Sequence, residues 1–231
     1  MAEKKAGARD RRPDRPAPPP VPDEIGYGML DRSVRQRLRS LSKANAEDVG
    51  RHIVMVGLLL DQDPEQAYLH AQAAVARGGR VEAVREVAAF AAHATGRYAE
   101  ALREFRTVRR LSGSVEHLAM EADCERGLGR PERAVTIAQS PEAGRLSPEA
   151  AVELAIVLAG ARMDLGDPEA ALLVLEGTHT PDDDAAARVR EATVDVLRAL
   201  GRDGEADDLA RTLPDWDAED EEIVFDLQEE A

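Results

Sequence analysis

"ATGRYAEALREFRTVRRL", residues 94–111, reads as the end of one helix, a turn and the start of another. Gly96 can take the left-handed backbone that ends a helix. Tyr98 follows it by two positions and Ala101 by five, and Leu102, Phe105 and Val108 then mark an apolar face. The same order returns in "GLGRPERAVTIA" (127–138), "DLGDPEAALLVLEG" (164–177) and "ALGRDGEADDLARTL" (199–213). Aligned on the turn, Gln62, Gly96, Gly129, Gly166 and Gly201 correspond, and so do Ala67, Ala101, Ala134, Ala171 and Ala206. The alanines are 34, 33, 37 and 35 residues apart. Pro64, Pro131 and Pro168 stand at the helix starts, where a missing N–H costs little. An alanine one turn inside each second helix lets two helices approach closely.

Working outward, composition agrees with an all-helical chain. Aromatic residues are 3% of the 231 and hydrophobic residues 43%, mostly Ala, Leu and Val, so small side chains in close contact have to build the core. One cysteine, Cys124, excludes an internal disulfide and suits a reducing compartment. The N-terminal "MAEKKAGARDRRPDRPAPPP" has no apolar core of a signal peptide, and the longest apolar run, Ile53–Leu60, is too short to span a bilayer. A cytoplasmic protein without membrane attachment is expected. Lysine occurs only at Lys4, Lys5 and Lys43, an arginine bias pointing to a GC-rich, bacterial coding sequence.

The net charge of −15 is unevenly spread. Residues 1–113 carry 20 basic and 15 acidic side chains, and residues 114–231 carry 10 and 30. Such polarity bears on partners rather than on fold.

Periodicity predicts a disordered basic, proline-rich stretch over 1–22, a capping helical segment within 23–44, a repeat domain over 45–213 and an acidic tail over 214–231. First helices are expected at 46–60, 81–95, 114–128, 148–165 and 184–200. Second helices are expected near 64–77, 97–111, 131–139, 168–176 and 203–212, with the long interval taken up by "SPEAGRLSPEA". The fold class is all-α, an α-solenoid of about five helix-turn-helix repeats.

These units resemble tetratricopeptide (TPR) repeats, with a 34-residue period and a second helix opening G-x-Y-x-x-A. "GRYAEALREF" carries Gly96, Tyr98, Ala101 and Phe105 in that register. The resemblance covers residues 45–213. The tryptophan of the family pattern is missing, and Ala92, Glu125 and Arg162 stand where first-helix tyrosines belong. The resemblance implies a scaffold that receives a protein or peptide segment in a concave groove lined by first helices. Repeat phase places His52, Val56, Glu86, Phe90, His93, Asp123, Arg126, Ile156 and Met163 along it. The clamp by which some TPR domains hold a chaperone's terminal carboxylate is not reproduced, since His52 and Val56 occupy its positions on the opening unit.

Catalytic and metal motifs are not found. The five histidines are scattered, there is no HExxH, CxxC or P-loop, and Asp182-Asp183-Asp184 reads as a helix cap rather than a cation site. Neither cofactor nor metal is expected, and the chain reads as a non-enzyme. Two basic stripes stand out: Arg32, Arg35 and Arg39 on the capping segment, and Arg103, Arg106 and Arg110, candidates to face an anion. They support the alternative of a regulatory or nucleic-acid-associated protein that contacts phosphate through its basic N-terminal half. Nucleic acid is disfavoured, because the chain is acidic and the stripes lack interleaved aromatics. An acidic protein segment suits them better, the chain's own "EDEEIVFDLQEE" (219–230) included.

Overall fold

The computed structural model of the chain describes residues 18–214. Most of the stretch expected to be disordered, the acidic segment 215–231 and its docking onto the second arginine stripe lie outside the described residues. Among those residues the chain is all-helical, without strands. It forms α1 (Arg32–Arg37), α2 (Lys43–Leu59), α3 (Pro64–Gly78), α4 (Glu82–Ala94), α5 (Tyr98–Ser112), α6 (Leu118–Gly127), α7 (Pro131–Ala138), α8 (Pro148–Asp164), α9 (Pro168–Glu176), α10 (Asp183–Ala199) and α11 (Asp203–Ala210). Two compact units divide the chain, Met1–Thr95 and Gly96–Ala231, so the expected repeat domain 45–213 is split between them.

Local chemistry explains most boundaries. Ser42, Asp63, Ser147, Asp167 and Asp182 each accept the backbone N–H three residues on, capping α2, α3, α8, α9 and α10. Gly129, Gly166 and Gly201 take φ of 69°, 75° and 72°. At each, the following N–H reaches back to a carbonyl five residues earlier: Arg130 to Glu125, Asp167 to Arg162 and Arg202 to Leu197. Three successive turns thus share one hydrogen-bonded design. Gln62 departs from it, because no non-glycine residue among those described has positive φ.

The helix expected from 114 begins at Leu118 instead. Gly113, at φ 74°, ends α5, and two serines then hold the chain in turns: Ser112 Oγ accepts Ser114 N–H and Ser114 Oγ accepts Glu116 N–H. The capping segment is also shorter than expected, with α1 giving way to a 3-10 turn at Leu38–Ser40. Part of the expected disordered stretch is held: Arg51 donates to the carbonyls of Val21, Pro22 and Ile25 at 3.2, 2.8 and 2.7 Å.

In the first unit α2, α3 and α4 pack on one another around Val49, Ile53, Ala74 and Val84, with Ile25, Leu30 and Leu38 of the capping segment completing the core. In the second unit consecutive helices from α5 to α11 pack together, and α8 also touches both α6 and α10. Ala67 in the first unit and Ala101, Ala134, Ala171 and Ala206 in the second are all fully buried, at 0% exposure. The repeated small residue therefore sits where a larger one would meet packed atoms.

Candidate functional site

The nine residues that repeat phase assigns to a groove divide between the units and do not share one environment. In the first unit His52 and Val56 are each 3% exposed, so neither presents a side chain to a partner. The reason is their place on α2, which packs against both α3 and α4. Val56 packs with Ala67, Ala71, Ala88 and Ala91. His52 faces His70 of α3, with Nδ1 to Nδ1 at 2.8 Å. One ring has to donate and the other accept, which requires opposite tautomers. Burial holds both imidazoles below their usual range, His70 at about 4. Glu86 is bound by Arg37, Nη2 to Oε2 at 2.5 Å, and Phe90 and His93 are half-buried on α4.

In the second unit the candidates gather on α6 and α8. Arg126 lies across the two helices, with Nη1 3.0 Å from Asp123 Oδ1 and Nε 2.8 Å from Asp164 Oδ2. Gly160 makes this crossing fit, since a Cβ there would stand 2.6 Å from the guanidinium carbon. Further along α8, Glu153 pairs with Arg188 of α10 at 2.7 Å. Arginine–carboxylate pairs thus bridge α6 to α8 and α8 to α10, helices that repeat phase expects to be first helices. Ile156 and Met163 are half-buried and pack against the core of this unit, so only their outer atoms line its surface.

The second arginine stripe is not uniform either. Arg103 and Arg110 are exposed on α5, without an ion-pair partner among the described residues. Arg106 is also exposed but reaches α6, with Nη2 2.9 Å from Glu125 Oε1 and Nε 3.7 Å from Glu121 Oε2. Arg109 joins it at 3.1 Å from Glu121, while Arg130 and Arg133 approach Glu125 at 3.5 and 4.0 Å. Glu121 and Glu125 are 2% and 1% exposed. Burial pushes the Glu121 carboxyl above the usual carboxylate range, and Arg109 and Arg106 offset part of that. Arg106, expected to face an external anion, has two buried acids within its reach, unlike Arg103 and Arg110. The visible signal was Glu125 at a position where the repeat pattern calls for tyrosine.

Cys124, beside them, is fully buried and its thiol is pushed up to about 12 by burial and neighbouring carboxylates, so it is a poor nucleophile. Asp182 caps α10 and Asp183 and Asp184 occupy its first turn. Among the described residues no group of three or more His, Cys, Asp or Glu side chains could hold a metal ion. No helix among them is long and apolar enough to cross a membrane.

No family model matches the chain, and no curated protein is significantly similar to it in sequence. The TPR resemblance therefore rests on the chain's own recurring residues.

Proposed function

We propose that the chain is a non-enzymatic scaffold of TPR-like helix pairs, an α-solenoid in kind, that binds a segment of another protein along its first helices. The observation that carries the reading is the burial of Ala67, Ala101, Ala134, Ala171 and Ala206, one in each second helix at near-equal spacing. The serial packing of α6, α8 and α10 supports it, because helix pairs stacked in a repeat bring their first helices together. The α6–α8 surface, with Asp123, Arg126, Asp164 and the outer atoms of Ile156 and Met163, offers ordered charge beside apolar surface, a combination suited to a peptide backbone and its side chains.

The phosphate-contacting alternative has less support, since Arg106 answers Glu121 and Glu125, and Arg37 answers Glu82 and Glu86. Site-specific photo-crosslinking tests the preferred reading. A crosslinker at Asp164 on α8 is expected to capture a partner, while one at Leu173, 69% exposed on the second helix α9, captures none. Equal capture at both, or capture at Leu173 alone, would contradict it.

A further inference from the structure

Four arginines stand between Asp31 and Ser40, and the fold gives them two different roles. Arg37 reaches α4, with Nε 2.6 Å from Glu82 Oε1 and Nη2 2.5 Å from Glu86 Oε2. Arg32, Arg35 and Arg39 instead line one open cavity of about 320 Å³ together with Tyr27 and Gln36. None of the three has an ion-pair partner among the described residues, and the Nε of Arg35 is buried without an acceptor. Asp31, the acid within the field of Arg35, is committed to α1: its Oδ1 accepts the Ser33 N–H at 2.9 Å and the Ser33 hydroxyl at 3.0 Å.

The Tyr27 side of this cavity is fixed. The Tyr27 ring fills the space where Gly50 has no side chain, since a Cβ there would lie 2.3 Å from it. Its hydroxyl donates to the Arg35 carbonyl at 3.3 Å. Three guanidiniums around one cavity raise the local potential and repel one another until an anion joins them. Each also presents a planar fork that suits a carboxylate.

The spacing narrows the anion. Positions i, i+3 and i+7 distribute the three side-chain origins over about 10 Å of helix. Alternate side chains of an extended peptide lie ~7 Å apart, so two or three carboxylates match that span better than one compact phosphate does. A nucleic-acid backbone needs a longer basic track. The described part of the first unit carries no net positive charge to extend these three, because its acidic side chains slightly outnumber its basic ones.

We propose that the Arg32–Arg35–Arg39 cavity binds an acidic peptide segment carrying carboxylates at alternate positions. This names the partner's chemistry and rests on the peptide-binding reading above, at a surface of the first unit that repeat phase does not point to. Low-salt fluorescence polarisation of the full chain with a labelled Glu-Ser-Glu-Ser-Glu peptide tests it, with Gln-Ser-Gln-Ser-Gln as the neutral control. The acidic peptide is expected to bind and the neutral one not. The combined R32Q/R35Q/R39Q variant is expected to weaken binding about tenfold or more, and R103Q/R110Q to leave it unchanged. Should the triple variant lose its helical circular dichroism, the exposed single changes R32Q and R39Q give the same reading, each expected to weaken binding about threefold. Unchanged binding in these variants would overturn the proposal. So would displacement by inorganic phosphate at concentrations as low as those of free peptide, which would make the cavity a phosphate site. The crosslinking at Asp164 leaves this cavity intact, so either idea can fail while the other stands.

Discussion

The ring of Tyr98, at the start of α5, occupies the space where Gly127 of α6 has no side chain. A Cβ on Gly127 would stand 2.4 Å from the ring. Alanine ordinarily favours a helix over glycine by up to ~1 kcal/mol. Here overpacking wins, and Gly127→Ala is expected to destabilise the chain by about 1–3 kcal/mol. In a Tyr98→Ala background the same change should be neutral or stabilising. Urea unfolding of the four-member cycle reads the coupling, and simple additivity would mean that the ring does not press on the glycine.

Arg103 and Arg106 look equivalent along α5 but should behave differently. Arg106→Ala leaves Glu125, 1% exposed, with only the more distant Arg130 and Arg133. A cost of about 1–3 kcal/mol follows from a buried acceptor losing its nearest donor. Arg103→Ala, exposed and without an ion pair among the described residues, should stay within about 0.5 kcal/mol of the parent. Equal unfolding midpoints for the two variants would return Arg106 to the solvated stripe.

The His52–His70 pair ties stability to acidity. Burial lowers both imidazoles, His70 from 6.5 to about 4; Asp48 partly opposes the shift on His52, while Arg77 and Arg51 add to it. The unfolded chain takes up protons near pH 6.5 that the folded pair refuses. This contribution is therefore complete above pH 6.5 and is lost as the pH falls from there toward 4, by about 3 kcal/mol for His70 alone. Unfolding midpoints measured across that window should fall less steeply in His70→Gln. An identical slope in parent and variant would remove the pair as the cause.

Much of the helical order was legible because it is local. Gly129, Gly166 and Gly201 announce left-handed turns, Pro64, Pro131 and Pro168 announce helix starts, and the alanines mark close crossings without reference to distant residues. The late start of α6 was missed because Gly113 and the serines on either side of it, Ser112 and Ser114, compete with an otherwise good helical pattern. Burial of His52 and Val56 was missed because repeat phase gives a residue's angle on its helix but not which neighbours close over it. The burial of Glu121 and Glu125 was not legible, since acids seldom lie fully buried unless paired. Their partners come from α5 and α7, and the sequence does not show that pairing. The division at Thr95 and Gly96 had no signal either, because the turn there carries the same residues as the turns within the second unit.

The repeat reading depends most on the recurring alanine, and a substitution series tests it directly. Ala67→Leu, Ala101→Leu, Ala134→Leu, Ala171→Leu and Ala206→Leu each insert three carbons at a fully buried position. Each is expected to cost about 1–3 kcal/mol and to lower the melting temperature by roughly 2–10 °C. Glu169→Gln, exposed two residues before Ala171, serves as the control and should melt with the parent. Five lowered transitions beside an unchanged control are the predicted result. Leucine variants that melt with Glu169→Gln would contradict the close-packed repeat, and with it the functional reading built upon it.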